Sequence, residues 1–149
     1  MLCNTVLDAI GNTPLIRINR LNVTDIPVYG KLESSNPGGS VKERISLSLI
    51  EAGEKSGELT RDKIVLEATS GNTGIGLAMV CAAKGYRCQL VMPESASLER
   101  RKIMLAYGAE ILLTPAKRST DGAIEKTYAM AREFPERYYL TDQFNNEAN

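Results

Sequence analysis

The chain of 149 residues carries 18 basic and 18 acidic side chains, so its formal net charge at pH 7 is zero. This balance excludes the strongly basic surface with which proteins bind nucleic acid or anionic membranes, so we expect a small-molecule partner. The chain has no histidine, which excludes His-based metal sites and Ser-His or Cys-His catalysis, and its three cysteines, which lack the paired spacing of metal ligands, are predicted core residues.

The N-terminal segment gives only weak structural signals. Residues 1–10 lack the basic region and apolar core of a secretory signal, and no apolar run approaches the length of about 18 residues that a membrane helix needs, so we expect a cytoplasmic protein without a membrane span. Residues 5–10 predict one helical turn ended by Gly11. Residues 14–18 and 28–33 predict two short strands joined by a polar loop.

The stretch from Ser34 to Arg44 brings a lysine to the first turn of a helix. Ser40, with Glu43 three residues later, forms a capping box just before an apolar periodic segment. Lys42 is therefore predicted at the positive end of a helix dipole, where a cation is disfavoured, and it is a candidate amine nucleophile. The spacing alone leaves the alternative open that the stretch is an ordinary turn followed by a solvated lysine.

From residue 40 onwards, predicted strands and helices alternate. This order predicts a three-layer α/β/α fold in which right-handed crossovers wind a four-stranded parallel sheet. Gly57, Gly85 and Gly108 are predicted C-terminal caps, and Ser97 and Ser119 are predicted N-caps of the last two helices. The predicted helices cover about 41–55, 73–84, 97–107 and 120–133, and the predicted strands about 63–68, 88–92, 110–113 and 138–141.

The segment Thr69-Ser-Gly-Asn-Thr-Gly74 follows a predicted strand and turns directly into a helix. Backbone N–H groups and hydroxyls converge there at a helix N-terminus, which predicts an anion site at the carboxyl end of the strand. Two alternatives are a tight connection without a ligand and a dinucleotide fold. The second is considered because Gly71, Gly74 and Gly76 follow the strand and Glu94 comes about 20 residues later. The spacing G-x-x-G-x-G, rather than G-x-G-x-x-G, argues against the dinucleotide fold.

Four motifs stand in order along the chain: Asn12-Thr-Pro-Leu15, the stretch from Lys31 to Arg44, Thr69-Ser-Gly-Asn-Thr-Gly74, and Met92-Pro-Glu94 followed by Glu99-Arg-Arg-Lys102. In this order and spacing they resemble the cysteine synthase and cystathionine β-synthase family of fold-type II pyridoxal-phosphate enzymes. The residues from Glu99 to Lys102 are themselves predicted to form only a solvated helix face. The chain departs from the family at Ala96, where methionine is usual, so the fit to the side-chain end of the substrate is expected to differ.

The resemblance assigns roles to individual residues. It implies that Lys42 binds pyridoxal phosphate covalently and, once released, removes the α-proton of the substrate. It implies that Asn72 hydrogen-bonds the phenolic oxygen of the cofactor. It implies that a loop binds the substrate carboxylate, and the residues of that loop are Thr69, Ser70, Gly71, Asn72 and Thr73. It implies that Gln143 lines the substrate pocket.

The resemblance also implies a reaction, in which O-acetylserine and sulfide give cysteine and acetate by β-replacement. A sibling activity is the first alternative, either cystathionine β-synthase chemistry with serine and homocysteine or a variant that uses phosphoserine. An alternative of another class is a non-catalytic fragment or remnant that folds, or pairs with another chain, without performing chemistry.

In relatives, residues matching 1–39 cross to a large domain, and residues matching 40–149 form a small α/β domain. The large C-terminal domain, with its loop for the cofactor phosphate, is absent from this sequence, so the resemblance implies that the 149 residues alone are inactive. Two short strands without their usual sheet partners expose unpaired edges. We therefore expect residues 12–35 either to pair with another chain, as in a homodimer, or to depart from the family conformation.

Overall fold

Strands alternate with helices from residue 42 to residue 140 in the computed structural model, which describes residues 2–149. Within these described residues, no helix has both the length and the apolar character to cross a membrane. The helices are α1 (Lys42–Ser56), α2 (Asn72–Lys84), α3 (Leu98–Ala106) and α4 (Ser119–Glu133). The strands are β1 (Leu15–Arg17), β2 (Tyr29–Lys31), β3 (Ile64–Ala68), β4 (Arg87–Pro93), β5 (Glu110–Thr114) and β6 (Tyr138–Leu140).

The last four strands form one parallel sheet in the order β5-β4-β3-β6. Central strand β3 is buried along its whole length, as its mainly apolar sequence predicts. Leu66 and Val91 pack with residues of α4 on one face of the sheet, whereas Val65 and Leu90 pack with residues of α1 and α2 on the other. The predicted three-layer α/β/α fold is therefore confirmed.

Glycines in the left-handed conformation follow three helices, as predicted. Gly57 and Gly85 directly follow α1 and α2, and each has a φ of +78°. Gly108 has a φ of +85° and lies just past α3. Ser97 also acts as predicted, because its hydroxyl accepts a hydrogen bond from the Arg100 N–H at the start of α3.

The prediction that Ser119 caps α4 is wrong. A turn of 3-10 helix, Ala116–Arg118, leads directly into α4, so that Ser119 is the first residue of the helix and has a φ of +48°. No side chain caps this helix. An N-cap needs an extended residue just before the helix, and here the chain is already turning at that point.

The N-terminal strands β1 and β2 form an antiparallel hairpin in which Ile16 faces Gly30. Each strand has three residues, fewer than predicted. Strand β2 ends early because the chain enters a 3-10 helix at Glu33–Ser35 directly after Leu32. The hairpin leaves several large apolar side chains exposed, and such a patch is typical of an interaction surface. These residues, the hairpin surface, are Leu15, Ile16, Leu21, Val23, Ile26, Val28 and Tyr29.

Helices α1 and α2 run side by side in the same direction. At their C-terminal ends, Lys84 Nζ pairs with Glu54 Oε2 at 2.8 Å. At their N-terminal ends, a β-carbon on Gly76 would lie 2.5 Å from Ser46 Oγ and 3.2 Å from the Lys42 carbonyl oxygen. The close approach of the two first turns therefore depends on glycine at position 76.

We expect Gly76→Ala to lower the free energy of unfolding. Overpacking costs about 1–3 kcal/mol, whereas alanine in a helix returns only about 0.5–1 kcal/mol relative to glycine. Urea denaturation measures the change, and the double variant Ser46→Gly/Gly76→Ala, which removes the nearest overlapping atom, should recover part of the loss. Equal stability of Gly76→Ala and the wild type would contradict the tight contact.

Candidate active site

Asn36 fixes the loop that leads to Lys42. The residue is 4% exposed, and its Oδ1 accepts a hydrogen bond from the Gly11 N–H at 2.8 Å. Its Nδ2 donates to the Ser40 carbonyl at 2.7 Å and to the Glu33 carbonyl at 3.0 Å. One buried amide therefore ties the N-terminal turn and the 3-10 helix to the start of α1.

Ser40 and Glu43 make only part of the predicted capping box, because Val41, which has no side-chain cap, is the residue that precedes α1. The Ser40 N–H donates to Glu43 Oε2 at 3.1 Å, and the Lys42 N–H donates to Ser40 Oγ at 3.0 Å. Glu43 is fully buried, and a β-carbon at Gly38 would overlap its carboxylate. These contacts make Lys42 the first residue of α1, half-buried, and its amine has no hydrogen bond or ion pair within residues 2–149.

Arg44 links the N-terminal segment to the first turn of α1. Its Nε and Nη2 donate to the two carboxylate oxygens of Glu33 at 2.7 and 3.0 Å, and Thr13 Oγ1 donates to Glu33 Oε1 at 2.5 Å. The Arg44 guanidinium, and next the Thr13 hydroxyl, lower the pKa of Glu33 from 4.5 to about 2. Arg44 lies two residues after Lys42 in the sequence, so its bidentate pairing with Glu33 restrains the backbone on that side of the lysine.

The Glu33 pKa implies a pH dependence of stability. A carboxylate whose pKa is lower in the folded state contributes stability above its unfolded pKa of 4.5 and loses that contribution as the pH falls toward about 2. We expect the difference in unfolding free energy between the wild type and Glu33→Gln to shrink as the pH falls through that range, measured by urea denaturation. Glu99→Gln, an exposed glutamate on α3, is the control; a difference for Glu33→Gln that stays constant or grows would contradict the assignment.

The loop between β3 and α2 ends at a helix N-terminus without a side-chain cap. Asn72 is the first residue of α2 and is exposed, whereas Thr69 and Thr73 are buried. Ser70 and Gly71 lie between them, half-buried. The first N–H groups of the helix have no intrahelical acceptor, so they are available to an anion.

Lys42 and Asn72 each begin a helix, and the parallel packing of α1 and α2 brings these two beginnings to the same end of the molecule. Ser46 strengthens this contact, because its hydroxyl donates to the Thr73 carbonyl at 3.3 Å. Both helix dipoles have their positive ends there. An anionic ligand is therefore favoured in the region where Lys42 begins α1.

Gln143 lies against the end of β3. Its backbone N–H donates to Glu67 Oε2 at 3.1 Å, and its Nε2 donates to Glu67 Oε1 and to the Ala68 carbonyl, both at 3.4 Å. Thr141 Oγ1 donates to Glu67 Oε2 at 2.5 Å. Gln143 is thus held next to the residues that precede Thr69, where the loop between β3 and α2 begins.

Glu67 is a neighbour of the site that the sequence analysis missed. It is 3% exposed in a strand that is otherwise apolar. Burial raises the pKa of Glu67, and hydrogen bonds from Thr141, Gln143 and Ala68 act in the opposite direction. The available signal was the charge itself, because a carboxylate inside a buried strand is costly unless it is hydrogen-bonded.

The prediction of a wholly solvated face at residues 99–102 is wrong for Arg101. This arginine is half-buried, and its guanidinium donates to the Glu94 carbonyl. Arg100 also reaches back from α3, because its Nη1 donates to the Ser70 carbonyl at 3.5 Å. Helix α3 is therefore connected to the loop between β3 and α2 through the Ser70 carbonyl and to the end of β4 through the Glu94 carbonyl, which residue spacing alone does not reveal.

Comparison with known proteins adds a family to this geometry. A family model described as pyridoxal-phosphate dependent enzyme matches residues 6–149. The chain belongs to that enzyme family. A cysteine synthase from Flavobacterium sp. is 54% identical over 149 residues, which are 100% of this chain and 48% of that protein.

Two solved structures resemble this family member closely. Cysteine synthase from Entamoeba histolytica gives a TM-score of 0.95 at 37% identity, over 99% of this chain and 45% of that one. An O-acetylserine-dependent cystathionine β-synthase from Helicobacter pylori gives a TM-score of 0.90 at 39% identity, over 99% and 49%. The chain therefore spans about half the length of these proteins, and the resemblance drawn from its motifs is confirmed.

Enzymes of this family use pyridoxal phosphate, and the described residues fit that group. Within residues 2–149, Lys42 offers an amine without a competing hydrogen-bond or ion-pair partner. Asn72 offers an exposed amide at the N-terminus of the parallel helix. A carbonyl-reactive, anionic cofactor matches this donor set better than a metal ion does, since the cluster contains an amine and N–H donors rather than several carboxylates.

Proposed function

We propose that this chain carries the cofactor lysine and the substrate-carboxylate loop of an enzyme that replaces the β-substituent of an activated serine. In the proposed reaction O-acetylserine loses acetate from its β-carbon, and sulfide forms the new C–S bond of cysteine. The convergence of Lys42 with the uncapped N-terminus of α2 carries the proposal. The identity of 54% to a cysteine synthase supports the choice of substrates.

Lys42 and Asn72 are the proposed cofactor residues. When bound, pyridoxal phosphate supplies an electron sink for negative charge at the substrate α-carbon. Lys42 holds the cofactor through Nζ, and the same amine, once released, accepts the α-proton as a general base. Asn72 donates from its side-chain amide to the phenolic oxygen of the cofactor.

The substrate carboxylate is proposed to bind at the N-terminus of α2. Backbone N–H groups there carry partial positive charge, and within residues 2–149 no side chain competes for them as a cap. The carboxylate would replace water at these donors, which orients the α-carbon of the substrate. The residues proposed to bind it are Thr69, Ser70, Gly71, Asn72, Thr73 and Gln143.

Cystathionine synthesis is the second candidate function. The TM-score of 0.90 to an O-acetylserine-dependent cystathionine β-synthase favours it. The two candidates share the O-acetylserine substrate and differ in the sulfur nucleophile that attacks its β-carbon, which is sulfide in the first and the thiol of homocysteine in the second. The roles proposed for Lys42 and Asn72 are the same in both.

We expect the chain to give a visible absorbance band, typical of a lysine Schiff base, when pyridoxal phosphate is added, and Lys42→Ala to give none. Lys55→Ala is the matched control, because Lys55 is an exposed lysine at the far end of the same helix. A band of equal strength in Lys42→Ala would show that another lysine binds the cofactor and would contradict the assignment.

Turnover separates the candidate functions. With the protein as its gene encodes it, we expect cysteine from O-acetylserine and sulfide, with loss of the activity in Lys42→Ala but not in Lys55→Ala. The 149 residues by themselves, which match only 48% of a cysteine synthase, are expected to give no turnover. If cystathionine is the main product when homocysteine competes with sulfide, the second candidate is selected. If neither cysteine nor cystathionine forms, both candidates are refuted.

We propose further that the hairpin surface covers a second copy of the chain in a homodimer. Leu21 and Val23 support this, because they are 88% and 94% exposed. We expect the 149 residues to sediment as a dimer and the Val23→Asp variant to sediment as a monomer. Leu98→Asp, which replaces an exposed apolar residue of α3, is the control and should remain a dimer. A wild-type monomer at high protein concentration would contradict the proposal.

A further inference from the structure

Four N–H and O–H donors converge on the buried carboxylate of Glu67. Oε1 accepts from the Ala68 N–H at 2.9 Å and from Gln143 Nε2 at 3.4 Å. Oε2 accepts from Thr141 Oγ1 at 2.5 Å and from the Gln143 N–H at 3.1 Å. No lysine or arginine pairs with Glu67 within residues 2–149, so hydrogen bonds alone offset the cost of burying this carboxylate.

The Glu67 side chain continues the hydrogen bonding between β3 and the segment after β6 beyond the point where their backbone hydrogen bonds end. The register of β3 with β6 ends at the pair Leu66 and Leu140, and one further backbone bond joins the Thr141 N–H to the Leu66 carbonyl. Beyond that bond, contacts to β3 are made by the Glu67 side chain and the Ala68 carbonyl. The position of Gln143 beside the start of the loop formed by residues 69–73 therefore depends on Glu67.

We infer that Glu67 is a positioning residue of the proposed active site, where its carboxylate holds Gln143 against the start of the loop formed by residues 69–73. In this role Glu67 touches neither substrate nor cofactor and acts through Gln143, which meets the carboxylate of the amino-acid substrate. The identity of that substrate rests on the proposed function. The hydrogen bonds between Glu67 and Gln143 do not.

The chemistry of the four donors requires a carboxylate at position 67. Thr141 can reverse its hydroxyl and accept a hydrogen bond, but the backbone N–H groups of Ala68 and Gln143 cannot accept one. These two N–H groups face different oxygens of Glu67. A glutamine in its place would set its own NH₂ group against one of them in either orientation, so Glu67→Gln is not a neutral replacement.

The first test follows hydrogen exchange in the chain without cofactor. We expect Glu67→Gln to raise the exchange rate of the Gln143 N–H by about tenfold or more, because a hydrogen bond to a charged group is lost. Exchange in the pairing of β4 with β5, at Val91 and Leu112, should stay unchanged. An unchanged rate at Gln143 would overturn the inference, whatever the activity of the protein.

The second test separates positioning from a general structural role, using the protein as its gene encodes it with pyridoxal phosphate bound. We expect Glu67→Gln to raise KM for O-acetylserine by about tenfold while kcat stays within about threefold, because the lost contact holds the substrate and not the reacting atoms. Glu54→Gln is the control, a partly buried glutamate paired with Lys84 at the other end of α1. A fall in kcat as large as the rise in KM, or an unchanged KM, would overturn the inference.

A threonine pair keeps both tests available if Glu67→Gln does not fold. Thr141→Val removes one donor to Glu67, and Thr127→Val removes an equally buried hydroxyl that bonds only within α4. We expect faster exchange at Gln143 and a raised KM for Thr141→Val alone, and the same result in both variants would overturn the inference. If the wild type does not convert O-acetylserine, the proposed function fails, and exchange at Gln143 still decides the role of Glu67.

Discussion

The contact between the first turns of α1 and α2 is the constraint on which the candidate site depends. Gly76 lets Ser46 and the Lys42 carbonyl approach α2, and Ser46 bonds back to the Thr73 carbonyl. Because the two helices are parallel, this one contact brings two positive dipole ends and one amine to the same place. Neither helix alone carries both the proposed nucleophile, Lys42, and the proposed anion site at the start of α2.

Buried polar side chains hold the segments around this contact. Asn36 and Glu43 both hold Ser40, just before Lys42, and the Glu67 carboxylate bonds the backbone of Gln143. Apolar packing is non-directional and would allow these loops several positions of similar energy, whereas hydrogen bonds to a buried amide or carboxylate specify one. The site therefore combines an apolar sheet that supplies stability with polar anchors that supply geometry.

The sequence was informative wherever the determining interactions are local. The helix of Lys42 follows from Ser40 and Glu43, three residues apart, and the central strand from its apolar run. The prediction for Ser119 failed because a serine hydroxyl caps a helix only where the chain enters the helix from an extended conformation. The 3-10 turn before α4 prevents that conformation. Glu67 was missed because its partners Thr141 and Gln143 lie 74 and 76 residues away, and their contact exists only once β6 pairs with β3.

The strand order β5-β4-β3-β6 has a consequence for synthesis of the chain on the ribosome. Strands β3, β4 and β5 pair with neighbours in sequence, but the other edge of β3, from Ile64 onwards, stays open until Tyr138 has been made. At synthesis rates of about 5–20 residues per second, that interval lasts roughly 4–15 s. Once β4 has paired with β3, the nascent chain presents the unpaired backbone groups of the other β3 edge until β6 is made, so β6 closes an edge that is open to pairing with other chains.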